Sequence, residues 1–309
     1  MLRYIVSRLA LTIPVLVGAA ILIFLLMQLV PGDAVSARMA GGAKLSPEQQ
    51  ELMREALGLN RPLLVQLGDY LWGLVRGDLG RSVSGRSVLG LVGAQIPSTL
   101  ILVAAGMAVA LVIGIPLGVL AARRRNTMVD TAAMGTAVLG LSVPQFWLGL
   151  MLIFLFAVNL GWFPVLSSGG FDGLVLPAVS LGLAEAAILA RLVRSSLIES
   201  LEQDYITTAR AKGASDSRVT WRHGLRNALV PVVTMIGLQI GNLLGASVVI
   251  ETLFGRQGVG KLVVDSILQR ELAVLQGSIL ILASIFVLIN VVVDIFYKVL
   301  DPRVKLGAA

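Results

Sequence analysis

Uncharged residues fill this chain in long blocks. Leu9 to Val30, Ser87 to Ala122, Thr131 to Phe171, Asn227 to Ile250 and Leu272 to Val293 contain no Asp, Glu, Lys or Arg, and Gly173 to Ala190 is interrupted only by Glu185. Each block holds one stretch of about 20 residues, the length a helix needs to cross the hydrocarbon core. Six membrane-spanning helices are therefore predicted. The first block has fourteen Leu, Ile, Val and Phe residues, which at about −0.3 to −0.6 kcal/mol each outweigh Thr12, Pro14 and Gln28. Arg3, Arg8, Val35 and Ala37 imitate a secretory signal, but a signal's apolar region runs only about 7 to 15 residues, so an uncleaved first helix is expected. Thr131 to Phe171 poses a choice. Split at Ser142-Val143-Pro144-Gln145 its first half is too short to cross, and one span kinked near Pro144 is the simpler reading.

Composition agrees. Of 309 residues, 56% are hydrophobic and 14% charged, against about 25% charged in soluble domains. The absence of Cys and the single His223 remove disulfide scaffolds, thiolate chemistry and most metal sites. A net charge of +7 would suit nucleic acid, but its distribution gives another reason. Arg3, Arg8, Arg123, Arg124, Arg125, Arg191, Arg194, Arg210, Lys212, Arg218, Arg222, Arg226, Lys298, Arg303 and Lys305 fall on the side of both termini, while the opposite short loops hold only Arg256, Lys261 and Arg270. Lys and Arg mark the cytoplasmic side. Both termini are thus expected in the cytoplasm, with no nucleic-acid partner. The chain divides into 1–95, the first span with an outer segment, and 96–309, a five-span core carrying a cytoplasmic loop over 191–227.

The outer segment opens with a marked helix. Ser46 suits its cap, Pro47 its first position and Gln49 the third, a capping box, and Gly58 suits its end. Pro62 to Val75 reads as a second, amphipathic helix carrying Leu63, Leu67, Tyr70, Leu71 and Leu74, fit to lie on the bilayer or to meet a partner. Gly77-Asp78-Leu79-Gly80 is a turn. In the inner segment, Gln203 to Ala211 can be helical, Gly213 can take a positive φ, and Ser215 can cap a short helix reaching Trp221.

That segment reads Asp204-Tyr205-Ile206-Thr207-Thr208-Ala209-Arg210-Ala211-Lys212-Gly213-Ala214-Ser215, then Arg222-His223-Gly224-Leu225-Arg226, then Val230-Pro231. It resembles the cytoplasmic coupling loop of ABC importer permeases, whose consensus is Glu-Ala-Ala, three residues, Gly and a distal apolar-Pro pair. Thr207 and Thr208 replace Glu-Ala, and the Gly213 to Pro231 distance is longer, as in the dipeptide and oligopeptide branch. Pro31-Gly32-Asp33, Gly77-Asp78-Leu79-Gly80, Gly114-Ile115-Pro116-Leu117-Gly118, Ser142 to Gly149, Leu160 to Pro164, Val249 to Phe254 and Asp301-Pro302 are similar to that branch in order along the chain. The resemblance implies an all-α type I ABC importer permease, multi-pass in a bacterial or archaeal inner membrane. It also implies a heterodimer with a second permease, two ATP-binding subunits and an extracytoplasmic substrate-binding protein. ATP and Mg would be bound by the ATPase subunits, with no cofactor, metal or catalytic residue in this chain. The solutes implied are dipeptides, oligopeptides, glutathione, nickel chelates or opines.

Other candidates are weaker. Gly255-Arg256-Gln257-Gly258-Val259-Gly260-Lys261 has phosphate-loop spacing, but Leu262 stands where Mg²⁺ needs Ser or Thr, and a glycine-rich turn is the expectation. Glu185, with Pro144 and Gln145, is a candidate for the translocation path; equally, Glu185 is a structural partner of Arg191, Ser180 or a neighbouring subunit. His223 reads as an interface residue and Asp294 with Lys298 as a helix-end pair. A secondary transporter or channel without an ATPase, or an intramembrane enzyme, remains as an alternative class. The first usually shows ionisable residues in several spans, and the second needs a nucleophile with a base or a metal.

Overall fold

Helix follows helix along the chain, and the breaks fall where backbone chemistry demands them. The computed structural model describes residues 2–29, 35–36, 39, 46–56, 58–167 and 170–300. The helices are α1 (Leu2–Gln28), α2 (Pro47–Ala56), α3 (Leu63–Val75), α4 (Val88–Arg123), α5 (Met128–Ser142), α6 (Gln145–Leu152), α7 (Asp172–Leu201), α8 (Asp204–Ala211), α9 (Leu225–Leu253), α10 (Val259–Leu268) and α11 (Leu272–Leu300). Among the described residues the only β pairing is an isolated antiparallel bridge between Arg81 and Ser87. Within α1, α4, α7, α9 with its lead-in, and α11 lie five stretches long and apolar enough to cross a membrane. Pro31-Gly32-Asp33 and Asp301-Pro302 lie outside the described residues, as do the side chains of Asp294 and Lys298.

Counting α5 and α6 together as one broken span gives six, and at their junction the expected kink is a 100° bend. Val143, which precedes a proline, is extended (φ −88°, ψ 122°), and Pro144 starts α6 with no N–H to donate backward. From Ile153 to Asn159 the helix loosens to a π-helix before Gly161 ends it.

Two compact units make up the chain. The first comprises Met1–Leu100 and Gln257–Leu288. Val88, Val92, Val259 and Val274 form one cluster in it, and Ala20, Ile23 and Leu280 another. Tyr70, Leu71 and Leu74 of α3 pack on the second cluster, with the Tyr70 ring stacked 5.6 Å from Phe24, while Leu64, Trp72 and Val75 stay exposed. The capping box at α2 is present: Ser46 N–H donates to Gln49 Oε1 at 2.9 Å and Gln49 N–H to Ser46 Oγ at 3.3 Å. Between α9 and α11 lies α10 rather than only the expected turn, and its first amide, Val259 N–H, donates to Thr99 Oγ1 at 2.9 Å.

The second unit comprises Ile101–Arg256 and Ile289–Ala309. Here α7 is the central post, burying Leu181, Leu189, Val193 and Leu197. A methyl group at Gly114 would sit 2.7 Å from the Ala186 carbonyl oxygen and one at Gly118 2.6 Å from that of Ala190, so α4 and α7 meet backbone to backbone. Such close approach replaces hydrophobic burial as the source of packing inside a bilayer.

Candidate functional site

The loop resembling a coupling loop is built on the end of α7. After Leu201 the chain turns through Glu202 and Gln203 into α8, which has Asp204 in its first turn and Arg210 in its last, the charge order the helix dipole favours. Gly213 then takes φ +80°. Its N–H donates to Arg210 O at 2.9 Å and that of Ala214 to Ala209 O at 3.1 Å, the paired bonds of a left-handed helix stop. Ser215 Oγ accepts from Arg218 N–H at 3.4 Å and starts the turn Asp216–Arg218. That turn enters a π-helix, Val219–Gly224, continuous with α9.

Three contacts fix this helix-turn-helix to its post. Ser200 Oγ donates to Gly224 O at 3.0 Å and shares a hydrogen bond with Tyr205 OH at 2.5 Å. Ile206 and Val219 are buried, and Gly224 lies against Leu197 and Leu201. The inward side is therefore apolar, and the outward side is polar except at the exposed Trp221. Asp204, Tyr205, Ala211, Lys212, Gly213, Ser215, Arg222 and Arg226 are exposed, and Ala209, Ala214 and His223 half-buried. Pro231 lies six residues into α9 and is exposed.

A fourth restraint was not read from the sequence. Arg194 Nε and Nη2 donate to the two oxygens of Asp130 at 2.6 and 2.7 Å, and Asn126 N–H donates to the same carboxylate at 3.0 Å. Asp130 is buried, and Arg125 pairs with Glu202 beside it. The start of α5 is thereby tied to the end of α7, next to the loop. A signal existed: Asp130 is the only acidic residue between Asp78 and Asp172, and it follows three arginines.

The path candidates differ in exposure. Glu185 is buried in α7, with Oε2 lacking a hydrogen-bond partner. Gln239 of α9 donates from Nε2 to the Glu185 carbonyl at 3.3 Å and leaves its own Oε1 unpartnered. Pro144 is exposed and Gln145 half-buried. At the other end of this unit, Arg256 donates to Ser167 Oγ at 3.3 Å and from its backbone to Glu251 O at 2.8 Å. Burial draws the Arg256 guanidinium below its usual pKa, and the Glu251 carboxylate opposes that. Lys261, the basic residue of the near-miss phosphate loop, pairs with Asp265 at 2.6 Å.

A chain of apolar helices crossing five or six times, with a braced polar helix-turn-helix at one end, defines a polytopic membrane permease. The chain belongs to the binding-protein-dependent transport system inner membrane components: that family matches residues 114–306, and its N-terminal counterpart matches residues 1–102. A Brucella abortus (strain 2308) chain named a peptide transport system permease protein is 45% identical over 314 residues, covering 99% of each chain. The glutathione transport system permease protein GsiC of Escherichia coli (strain K12) is 42% identical over 306 residues, again covering 99% of each. An inward-facing structure of the MetNI methionine ABC transporter matches with a TM-score of 0.59 and 21% identity, over 69% of this chain and 97% of that one. It shares the fold.

Proposed function

We propose that this permease is one half of an ATP-driven importer, moving peptides or a glutathione-like solute inward by alternating access. Its helix-turn-helix would be the coupling element. Asp204, Tyr205, Lys212, Ser215, Arg222, His223 and Arg226 would meet one of two ATPase subunits, which would bind ATP and Mg. A second, similar permease would complete the pathway, and an extracytoplasmic binding protein would deliver the solute. The Lys and Arg asymmetry supports termini and loop in the cytoplasm of a bacterial cell. The substrate class rests on the peptide and glutathione names of the two relatives.

The observation that carries the reading is the left-handed turn at Gly213 between α8 and the Ser215-capped start of the next helix. A Cβ there meets nothing within 4 Å, so a substitution acts through the backbone alone. A β-branched residue at that φ costs about 1 to 3 kcal/mol. Gly213→Val should insert normally yet lose retention of the ATPase subunits and uptake, with Gly213→Ala milder and Gly213→Asn mildest, because Asn tolerates this conformation. Unchanged uptake and association in Gly213→Val would remove the coupling assignment. Uptake that persists without the ATPase subunits would place the chain among secondary transporters or channels.

A further inference from the structure

At the inner end of the second unit lies a groove of about 570 Å³. Its lining changes character along its length. On α7, Ile188, Arg191, Leu192 and Ser195 form one stripe at helical spacing, about 10 Å long. The groove is apolar at Ile188 and basic at Arg191 and at the neighbouring Arg194, toward the coupling loop. Val138 of α5 and Met235 of α9 complete the apolar walls. Among the described residues no acidic side chain lines the groove. Asp130 engages Arg194 through Nε and Nη2 and offsets its charge. Arg191 is exposed and, among the described residues, forms no ion pair. One positive charge is therefore left over at the mouth.

From this we infer that the groove holds one anionic phospholipid of the inner leaflet, its phosphate at Arg191 with help from the Nη1 edge of Arg194, and an acyl chain along Val138, Ile188, Leu192 and Met235. Cation toward the cytoplasm and apolar wall toward the midplane is the polarity of a lipid, and the net single charge matches a phosphodiester; basic pockets between spans on the cytoplasmic side bind such head groups. The inference rests on the inward placement of the coupling loop and on neither ATP coupling nor substrate. To test it, a benzophenone amino acid is placed at Ile188, and in a parallel variant at Val138. The complex with its partner subunits is reconstituted in equimolar phosphatidylglycerol and phosphatidylethanolamine and irradiated. The expected product is a phosphatidylglycerol adduct at least about fivefold above the phosphatidylethanolamine one, a preference abolished by Arg191→Gln. Crosslinking to the second permease, equal yield with both lipids, or a preference that survives Arg191→Gln would overturn the assignment. Because capture needs neither nucleotide nor solute, failure here leaves the transport reading standing.

Discussion

Two residues at the foot of the post show how charge is handled at this site. Asp130 and Arg194 meet through paired hydrogen bonds, with the Asp130 side chain 6% exposed and that of Arg194 27%. Breaking a fully buried pair costs about 3 to 5 kcal/mol. Because Arg194 keeps part of its hydration, Asp130→Asn should destabilise the protein by on the order of 2 to 3 kcal/mol, read as earlier thermal aggregation in detergent. The exchange Asp130→Arg with Arg194→Asp should recover part of that loss; no recovery would mean that the Asn126 contact, not the pairing, carries the stability. This pair was written in the sequence as a lone acid after three arginines. Charge counting assigns such arginines to a side of the membrane and gives no partner for any one of them, because the partner stands 64 positions away.

At the scale of elements, local signals were legible where they are short-range. The Ser46–Gln49 box, the Gly213 stop and the Ser215 cap each involve atoms within a few residues, and all three are present. The size of the bend at Pro144 was not legible. A proline says that a helix breaks, not by how much; the angle is set by what α6 then packs against, such as Leu253 and Phe254 at Gly149. Nitroxides on the exposed Met128 and Val158 should lie about 30 Å apart across a 100° bend, whereas a straight helix would hold them about 45 Å apart. A distance near the longer value would replace the bend with one continuous span. The helix α10 was also missed, because its ten residues follow a glycine-rich stretch that reads as a turn.

For the whole molecule, the membrane class and the five unbroken candidate spans came from charge-free length, a property that needs no knowledge of contacts. What holds the second unit together came from elsewhere: glycines that let α4 and α7 touch look the same in sequence as glycines in loops. Sidedness remains the most direct global test. Cysteines at Arg124 and Ser215 should be protected from an impermeant thiol reagent outside intact cells, while one at Gln49 should react. The chain contains no Cys of its own, so the background is clean. Labelling of Ser215 from outside would invert the topology and, with it, the lipid assignment.

The π-helix at Val219–Gly224 makes chain length itself a variable of this site. A π turn is an α-helix carrying an extra residue, and each residue of an α-helix advances its face by about 100°. A single-residue deletion there can be absorbed by restoring α geometry, with no backbone hydrogen bond lost. The helix would survive, and because a π turn uses about one more residue for the same rotation, everything before it, including Gly213 and Lys212, would keep nearly its orientation around the α9 axis and its place at the Ser200 anchor. Relatives with one residue fewer in this stretch would therefore present the same face of the loop to whatever docks on it, whereas one residue fewer in the regular part of α9 would turn that face by about 100°.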